Sequence, residues 1–301
     1  MQLSFWGNTV ELGGPYLAAD LRGSNDVLDE PATLRRRLEE DGYLLIRELH
    51  NPAAINNARR EVLEALGAQG SLAPGTPILD AVVNRSRQKV ATTNVRGNEE
   101  LRLLPAVQAL FHMPEVTGFF ERTLGGKVGS FDFQWLRVAG PGAESPIHSD
   151  IVFMGRGTPN VYTCWTPLGD VPLELGPIVM CLGSHRIPAL KDTYWKADVD
   201  RDLIEGYFTK DPIEMVEKFG CRWSTTSFRA GDVLIFGMHI LHGSLANSTD
   251  RYRISADARY QLASEPFDAR WMGSAPKGHY KYWQPGVQLE PLAVTRSRWG
   301  L

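Results

Sequence analysis

The first 125 residues carry apolar side chains mainly at the three- and four-residue spacing of helices. Leu34 and Leu38 predict one short helix. A second helix begins at Asn51 and Pro52, because asparagine caps a helix and proline fits its first turn, and it ends at Gly67. The apolar stripe of this second helix consists of Ile55, Ala58, Val62 and Leu66.

Residues 114–124 predict a third helix, which the two following glycines close. The continuous apolar run 43–46 is typical of a buried strand. We therefore expect a helical flank over about 31–125. Residues 1–30 are glycine-rich and aperiodic, and they predict an arm laid over the body.

Beyond Lys127 the pattern changes to short apolar runs separated by glycine and proline, which is typical of strands. The candidate strands are 130–138, 147–153, 160–166, 177–182, 232–236, 239–245 and 252–261. Many short strands after leading helices favour a mostly β fold with flanking α: a double-stranded β-helix, or cupin-like jelly-roll barrel, with the N-terminal helices packed on it. We expect a single domain over 1–301, with a barrel core over about 127–262 and a lid-like insertion over about 186–227.

The last candidate strand alternates in a way that matters for function. Its charged or hydroxyl-bearing residues share one face, and its apolar residues share the other. The first set is Arg253, Ser255, Asp257 and Arg259; the second is Tyr252, Ile254, Ala256, Ala258 and Tyr260. A strand that lines a polar pocket and a charged strand that faces solvent both fit this alternation.

Composition narrows the class of partner. The chain has 301 residues and a formal net charge of −3, which argues against nucleic acid or an anionic membrane as the main partner. No apolar run approaches the roughly 20 residues of a membrane span, and no leader pattern opens the chain. Cys164, Cys181 and Cys221 are widely spaced and odd in number, which indicates reduced thiols. We expect a cytoplasmic protein.

His148, Asp150 and His242 are the candidate metal ligands. In an extended strand, residues i and i+2 point the same way, so His148 and Asp150 can reach one ion, and His242 would come from another strand. Two imidazoles and a carboxylate suit Fe(II), Mn(II) or Zn(II), so ligand type alone does not choose the metal. His239 is a rival ligand, but its odd offset from His242 places it on the opposite face, and we interpret it as structural.

The segments around His242 resemble the phytanoyl-CoA dioxygenase family of Fe(II)/2-oxoglutarate oxygenases. The similarity lies in the strand Gly231-Asp232-x-x-x-Phe236, in the turn His242-Gly-Ser-x-x-Asn-x-Ser, and in an arginine, Arg253, eleven positions after the histidine. It also includes Trp165-Thr-Pro-Leu and Gly183-Ser-His185. The resemblance extends from about residue 41 to about 260.

The resemblance implies Fe(II), with 2-oxoglutarate and O2 as co-substrates. It places the 2-oxoglutarate C5 carboxylate on Arg253, whose planar guanidinium fits a carboxylate, and it places Ser244, Trp165 and Gln134 near the co-substrate. Ser255 shares the face of Arg253. The family motif Lys-x-Pro-Gly is not kept at Arg137, which puts a carried-over role for that residue in doubt.

The function implied is hydroxylation of a small-molecule metabolite with release of succinate and CO2. Related halogenases have a small residue in place of the metal carboxylate, so the presence of Asp150 predicts oxidation. Phe153 and the aromatic content of 186–227 favour a partly apolar substrate. A basic patch (Arg85, Arg87, Lys89 and Arg96) is more typical of solvated surface. A cupin-type metal enzyme that does not use 2-oxoglutarate, or a non-catalytic metal-binding relative, stays open.

Overall fold

Two β-sheets flanked by helices make up the protein. The computed structural model describes residues 1–86, 99–276, 278, 279 and 291–301. The strands are β1 Gln2–Phe5, β2 Asn8–Glu11, β3 Leu17–Ala18, β4 Tyr43–Ile46, β5 Val128–Ser130, β6 Trp135–Ala139, β7 Tyr162–Pro167, β8 Ile178–Leu182, β9 Arg222–Ser224, β10 Val233–Gly237, β11 His242–Ser244 and β12 Arg253–Leu262. The helices are α1 Pro31–Asp41, α2 Pro52–Ala68, α3 Glu99–Arg102, α4 Pro105–Leu110, α5 Pro114–Leu124, α6 Pro188–Asp192, α7 Pro212–Phe219 and α8 Leu292–Arg298.

The larger sheet has the order β4-β10-β7-β12-β5, and β6 also pairs with β12. The smaller sheet has the order β11-β8-β9-β3, and β1 and β2 form a separate hairpin. Apart from the parallel pair β3–β9, the strand pairs are antiparallel. This mostly β arrangement with N-terminal helices confirms the predicted fold class. Within the described residues, no helix has the length and apolar character needed to cross a membrane.

Strand β12 separates the helical flank from the interior of the barrel. The apolar set of β12 lies in one core cluster with residues of α1, α2 and α5, and the Phe120 ring stacks on Tyr260 with ring centroids 4.1 Å apart. The polar set points the other way and is nevertheless 0–2% exposed. The alternation therefore reflects a strand that is buried on both faces, and the solvent-facing alternative is wrong.

The predicted helices agree closely with the structure. Asn51 accepts a hydrogen bond from the Ala53 backbone N–H at the start of α2, and Gly125 takes the left-handed conformation that ends α5. Helix α2 continues through Gly67 to Ala68, one residue further than predicted. Proline and asparagine act within one turn, so these boundaries are readable locally.

Two local predictions were wrong. The run 147–153 is not a strand: His148 forms a single bridge with His242, and a 3-10 turn follows at Asp150–Val152. Residues 1–30 are not an aperiodic arm, because the chain forms the local hairpin β1–β2 and the strand β3 there. The bridge at His148 and the pair β3–β9 depend on segments far away in the sequence, and such pairing leaves no local pattern. The predicted insertion 186–227 contributes β9 to the smaller sheet, and its lid role stays a prediction.

Candidate metal centre

The three predicted ligands meet at one point inside the barrel. One ligand atom from each of His148, Asp150 and His242 lies within 4.8 Å of the others. The Oδ1 atom of Asp150 is 3.6 Å from Nε2 of His148 and 3.8 Å from Nε2 of His242. Backbone hydrogen bonds in both directions between His148 and His242, of 3.0 and 2.9 Å, bring the two histidines side by side. The backbone bridge, rather than a continuous strand, therefore creates the cluster.

Backbone carbonyls orient both imidazoles. The Nδ1 atom of His148 lies 2.7 Å from the Pro146 carbonyl oxygen, and Nδ1 of His242 lies 3.2 Å from the Ile240 carbonyl oxygen. A carbonyl can only accept, so each Nδ1 carries a proton, and in the neutral form of the ring the Nε2 lone pair points toward the cluster. Burial lowers the pKa of His242 to about 3, and the neighbouring His148 adds to this effect. A neutral His242 is the form that binds a metal.

Asp150 is held as a carboxylate. Its Oδ2 atom accepts hydrogen bonds from the Thr163 hydroxyl at 2.5 Å and from the Arg259 guanidinium at 3.3 Å. Burial alone would raise the pKa of Asp150, but the Arg259 guanidinium holds it well below its usual value. Two imidazole nitrogens and one free carboxylate oxygen form a donor set that fits Fe(II) and similar divalent ions.

Arg253 lines one cavity together with His148 and His242, and no carboxylate of the described residues pairs with it. It is 2% exposed, and its Nη1 donates to the Gly176 carbonyl oxygen at 2.5 Å. Its Nε has no hydrogen-bond partner, and it forms no ion pair within the described parts of the chain. Burial lowers the pKa of Arg253 to about 10, and the nearby Arg137 contributes to the shift. A buried guanidinium without a counterion is costly, so the site fits a ligand that supplies a carboxylate.

Of the other four residues predicted to lie near the co-substrate, two line the cavity and two do not. Trp165 and Ser244 line the cavity together with Arg253. Ser244 accepts a hydrogen bond from the Ser145 backbone N–H at 2.7 Å, which leaves its hydroxyl proton free to donate. Gln134 and Ser255 are buried but do not belong to the cavity lining, and the Gln134 amide donates to the Phe131 carbonyl oxygen at 3.3 Å. Co-substrate roles for all four residues stay predictions.

Five further charged or polar residues line the cavity and were not among the predicted site residues: Arg137, Ser145, Thr163, Asp257 and Arg259. Asp257 forms ion pairs with both Arg137, at 2.8 Å, and Arg259, at 3.2 Å. The alternation along β12 places Asp257 and Arg259 on the face of Arg253, so two of the five were within reach of sequence reasoning. Thr163 carries no comparable local signal.

Aromatic rings lie on one side of the metal cluster. The ring of Phe153 meets that of His148 edge-on at 5.3 Å, and His279 lies 5.9 Å from Phe153 and 5.0 Å from Trp271. Two aromatics of the insertion are core residues: Trp195 is 4% exposed and packs on His239, and Trp223 is 1% exposed. Of the aromatic residues invoked for a partly apolar substrate, Phe153 therefore lies beside the metal cluster, whereas Trp195 and Trp223 belong to the core.

The remaining histidines lie outside the metal cluster. His239 contacts Trp195, with ring centroids 4.9 Å apart, and burial lowers its pKa to about 4. His185 lies 3.1 Å from the Glu39 carbonyl oxygen, in a loop contact with α1. Of the basic patch, Arg85 is exposed, and the other three residues lie outside the described residues.

The sequence profile of the phytanoyl-CoA dioxygenase (PhyH) family matches residues 38–255. This span contains the three candidate metal ligands and Arg253. A curated relative, 1-deoxypentalenic acid 11-beta-hydroxylase of Streptomyces arenae, is 26% identical over 261 residues, which cover 82% of this chain and 86% of the relative.

Solved structures share the fold. EctD from S. alaskensis, solved with 2-oxoglutarate and 5-hydroxyectoine, has a TM-score of 0.56 at 18% identity and covers 93% of both chains. The epimerase SnoN from nogalamycin biosynthesis, solved with Fe3+, alpha ketoglutarate and nogalamycin RO, has a TM-score of 0.55 at 20% identity, covering 87% of this chain and 93% of SnoN.

Proposed function

The chain belongs to the phytanoyl-CoA dioxygenase family, and from this premise we propose that it is a non-haem Fe(II)- and 2-oxoglutarate-dependent oxygenase that hydroxylates a small-molecule metabolite. One observation carries the proposal: His148 and His242 of the His–Asp–His cluster line one cavity with Arg253, a buried guanidinium that forms no ion pair with any described residue. The cluster fits a divalent metal and the guanidinium fits the far carboxylate of a metal-bound dicarboxylate.

Each residue has a defined task in this proposal. His148, Asp150 and His242 bind the ion from one side, which leaves its other side open to ligands. Arg253 holds the C5 carboxylate of 2-oxoglutarate through parallel donors, and Trp165 and Ser244 flank the same ligand. When bound, Fe(II) and 2-oxoglutarate would supply the oxidising power for hydroxylation, with succinate and CO2 as co-products. The chain itself supplies orientation and a cavity that excludes bulk water.

The first test needs no substrate. We would titrate 2-oxoglutarate into the anaerobic Fe(II) protein and follow the visible metal-to-ligand charge-transfer band. The band should saturate in the wild type and be absent in His148→Ala. In Arg253→Met it should require far more 2-oxoglutarate, because the carboxylate loses its cation. Arg251→Met is the matched control, since that arginine lies two residues away and is exposed; it should behave as the wild type.

An iron-loaded wild type that shows no band would contradict the use of 2-oxoglutarate. The cupin-type alternative would then explain the triad, because it needs the metal but not Arg253. A band without any 2-oxoglutarate turnover would instead favour a non-catalytic relative.

We propose a partly apolar small molecule as the substrate. Phe153 supports this, because its ring packs edge-on against His148 and is itself backed by the ring of His279. The Streptomyces arenae relative is named for a small-molecule acid. Phe153→Ala should raise the KM of the substrate and leave the charge-transfer band unchanged, and an unchanged KM would contradict the placement. A cytoplasmic location and a lid role for 186–227 also stay proposals.

A further inference from the structure

The two oxygens of Asp150 have different surroundings. Oδ1 faces the Nε2 atoms of His148 and His242, at 3.6 and 3.8 Å. Oδ2 is turned away from them and accepts from Thr163 and Arg259. Resting on the metal site proposed above, we propose that Arg259 is a positioning residue: with Thr163 it occupies Oδ2, so that Asp150 presents Oδ1 alone to the ion.

The β-sheet places the two donors together. Arg259 on β12 and Thr163 on β7 are directly opposite each other in the antiparallel register. Both side chains point into the barrel, and each residue is 2% exposed. Directly opposed residues on one face have Cβ atoms about 4.5–5.5 Å apart, which allows two side chains to reach one carboxylate oxygen. Asp150 is itself 2% exposed, and the two bonds to Oδ2 hold its carboxylate rotamer.

Arg259 is itself held on two further sides. Its guanidinium carbon lies 3.9 Å from the centre of the Trp135 ring. Its Nη1 is 3.2 Å from Oδ2 of Asp257, which Arg137 also binds through Nε at 3.2 Å and Nη2 at 2.8 Å. Asp257 thus supplies a counterion of its own to Arg259. The planar fork of arginine suits this double contact, and a lysine could not make it in the same way.

A role of Arg259 that depends only on its charge and a role in orienting Asp150 predict opposite changes in metal affinity when Arg259 is removed. A cation beside the ligand carboxylate repels a divalent ion, so an Arg259 that acted only through its charge would weaken metal binding, and its loss would strengthen it. An Arg259 that orients Asp150 strengthens metal binding, and its loss would weaken it. The direction of the change in metal affinity therefore separates the two.

The experiment titrates Mn(II) into the metal-free protein and measures free Mn(II) by its electron paramagnetic resonance signal. Arg259→Met should raise the Mn(II) Kd roughly 10–100-fold, the range typical of residues that orient metal ligands. Thr163→Val should raise the Kd in the same direction without any change in charge, and Thr163→Ser should restore it because the hydroxyl returns. Arg251→Met is the exposed control and should match the wild type.

An equal or lower Kd in Arg259→Met would overturn the proposal. If Arg259→Met does not fold, the threonine pair decides: equal Kd values for Thr163→Val and Thr163→Ser would overturn it. A purely structural role would lower the number of binding sites and the unfolding temperature but leave the Kd of the folded fraction unchanged, and that result also counts against positioning. Failure of the proposed function looks different, because the wild type would then bind no divalent metal, or would bind it without forming the charge-transfer band.

Discussion

The two ends of the polar face of β12 carry the same residue type in opposite situations. Arg253 and Arg259 point into the barrel, and each is 2% exposed. Arg259 lies between two aspartates, Asp150 and Asp257. Arg253 has a single hydrogen bond to the Gly176 carbonyl and forms no ion pair with any described residue. The protein provides the anion at one end, and we infer that a ligand provides it at the other.

The contrast shows that the partners of a buried arginine indicate its role. An arginine cannot lower its cost of burial by losing a proton under ordinary conditions, so a missing partner indicates that a ligand anion belongs there. An arginine that already forms ion pairs with carboxylates, as Arg259 does, is instead suited to orienting those carboxylates. The same side chain on the same face of one strand therefore has two roles, and only its neighbours distinguish them.

We expect the greatest change when each arginine is replaced in turn: loss of Arg253 should weaken 2-oxoglutarate binding, and loss of Arg259 should weaken metal binding. Arg253→Met should raise the Kd of 2-oxoglutarate roughly 100-fold, since removing one member of a buried charge pair costs about 2–5 kcal/mol. Its Mn(II) affinity should stay at the wild-type value. Arg259→Met should show the mirror image, with its primary loss in metal affinity. Isothermal titration calorimetry of each ligand in turn measures both. Variants that lose both ligands equally would remove the distinction between the two ends.

A smaller effect is expected from the carbonyl that holds Arg253. Gly176 has φ +75°, and a Cβ added there would lie 2.5 Å from the Leu245 carbonyl oxygen. Gly176→Ala should lower the free energy of unfolding by about 1–3 kcal/mol because of this strain, and it should weaken 2-oxoglutarate binding by displacing the acceptor of Arg253. Urea unfolding and the charge-transfer titration measure the two effects.

Gly183→Ala is the matched control for that strain. Gly183 has φ +81°, but an added Cβ there meets nothing within 4 Å. It should carry only the cost of a positive φ, about 1 kcal/mol, and leave 2-oxoglutarate binding unchanged. Equal losses of co-substrate affinity in the two variants would mean that the Gly176 carbonyl does not support Arg253.

The most modest change is expected at His50, a buried histidine that stays neutral in the folded protein. His50 is 1% exposed, and burial lowers its pKa from 6.5 to about 4. Below pH 6.5 the imidazole of His50 binds a proton in the unfolded chain but stays neutral in the folded chain. The free energy of unfolding is therefore at its full value above pH 6.5 and decreases as the pH falls toward 4. The contribution is about 1.4 kcal/mol per pH unit, or about 2 kcal/mol between pH 6.5 and 5. His50→Gln should show a shallower decline in urea unfolding, and an identical slope would contradict the assignment.

Local patterns predicted the parts of the fold that depend on local causes. Helices α2 and α5 start at a proline, and α5 closes at a glycine, so their bounds were accurate. The alternation along 252–260 identified both faces of β12. The segment 147–153 shows the limit: His148 and Asp150 lie beside His242 as the ligand prediction requires, but the backbone forms a bridge and a turn, since a bridge depends on a partner strand far away in the sequence.

The candidate ligands, the helical flank and the two-faced strand could be read from the sequence, because side-chain chemistry, capping and periodicity act over a few residues. Which polar residues meet became visible in the folded chain. Thr163 reaches Asp150 because β7 pairs with β12. Among the described residues, Arg259 faces two carboxylates and Arg253 pairs with none. Electrostatic and hydrogen-bond energies depend on distances between atoms that are remote in the chain, and no local pattern records those distances.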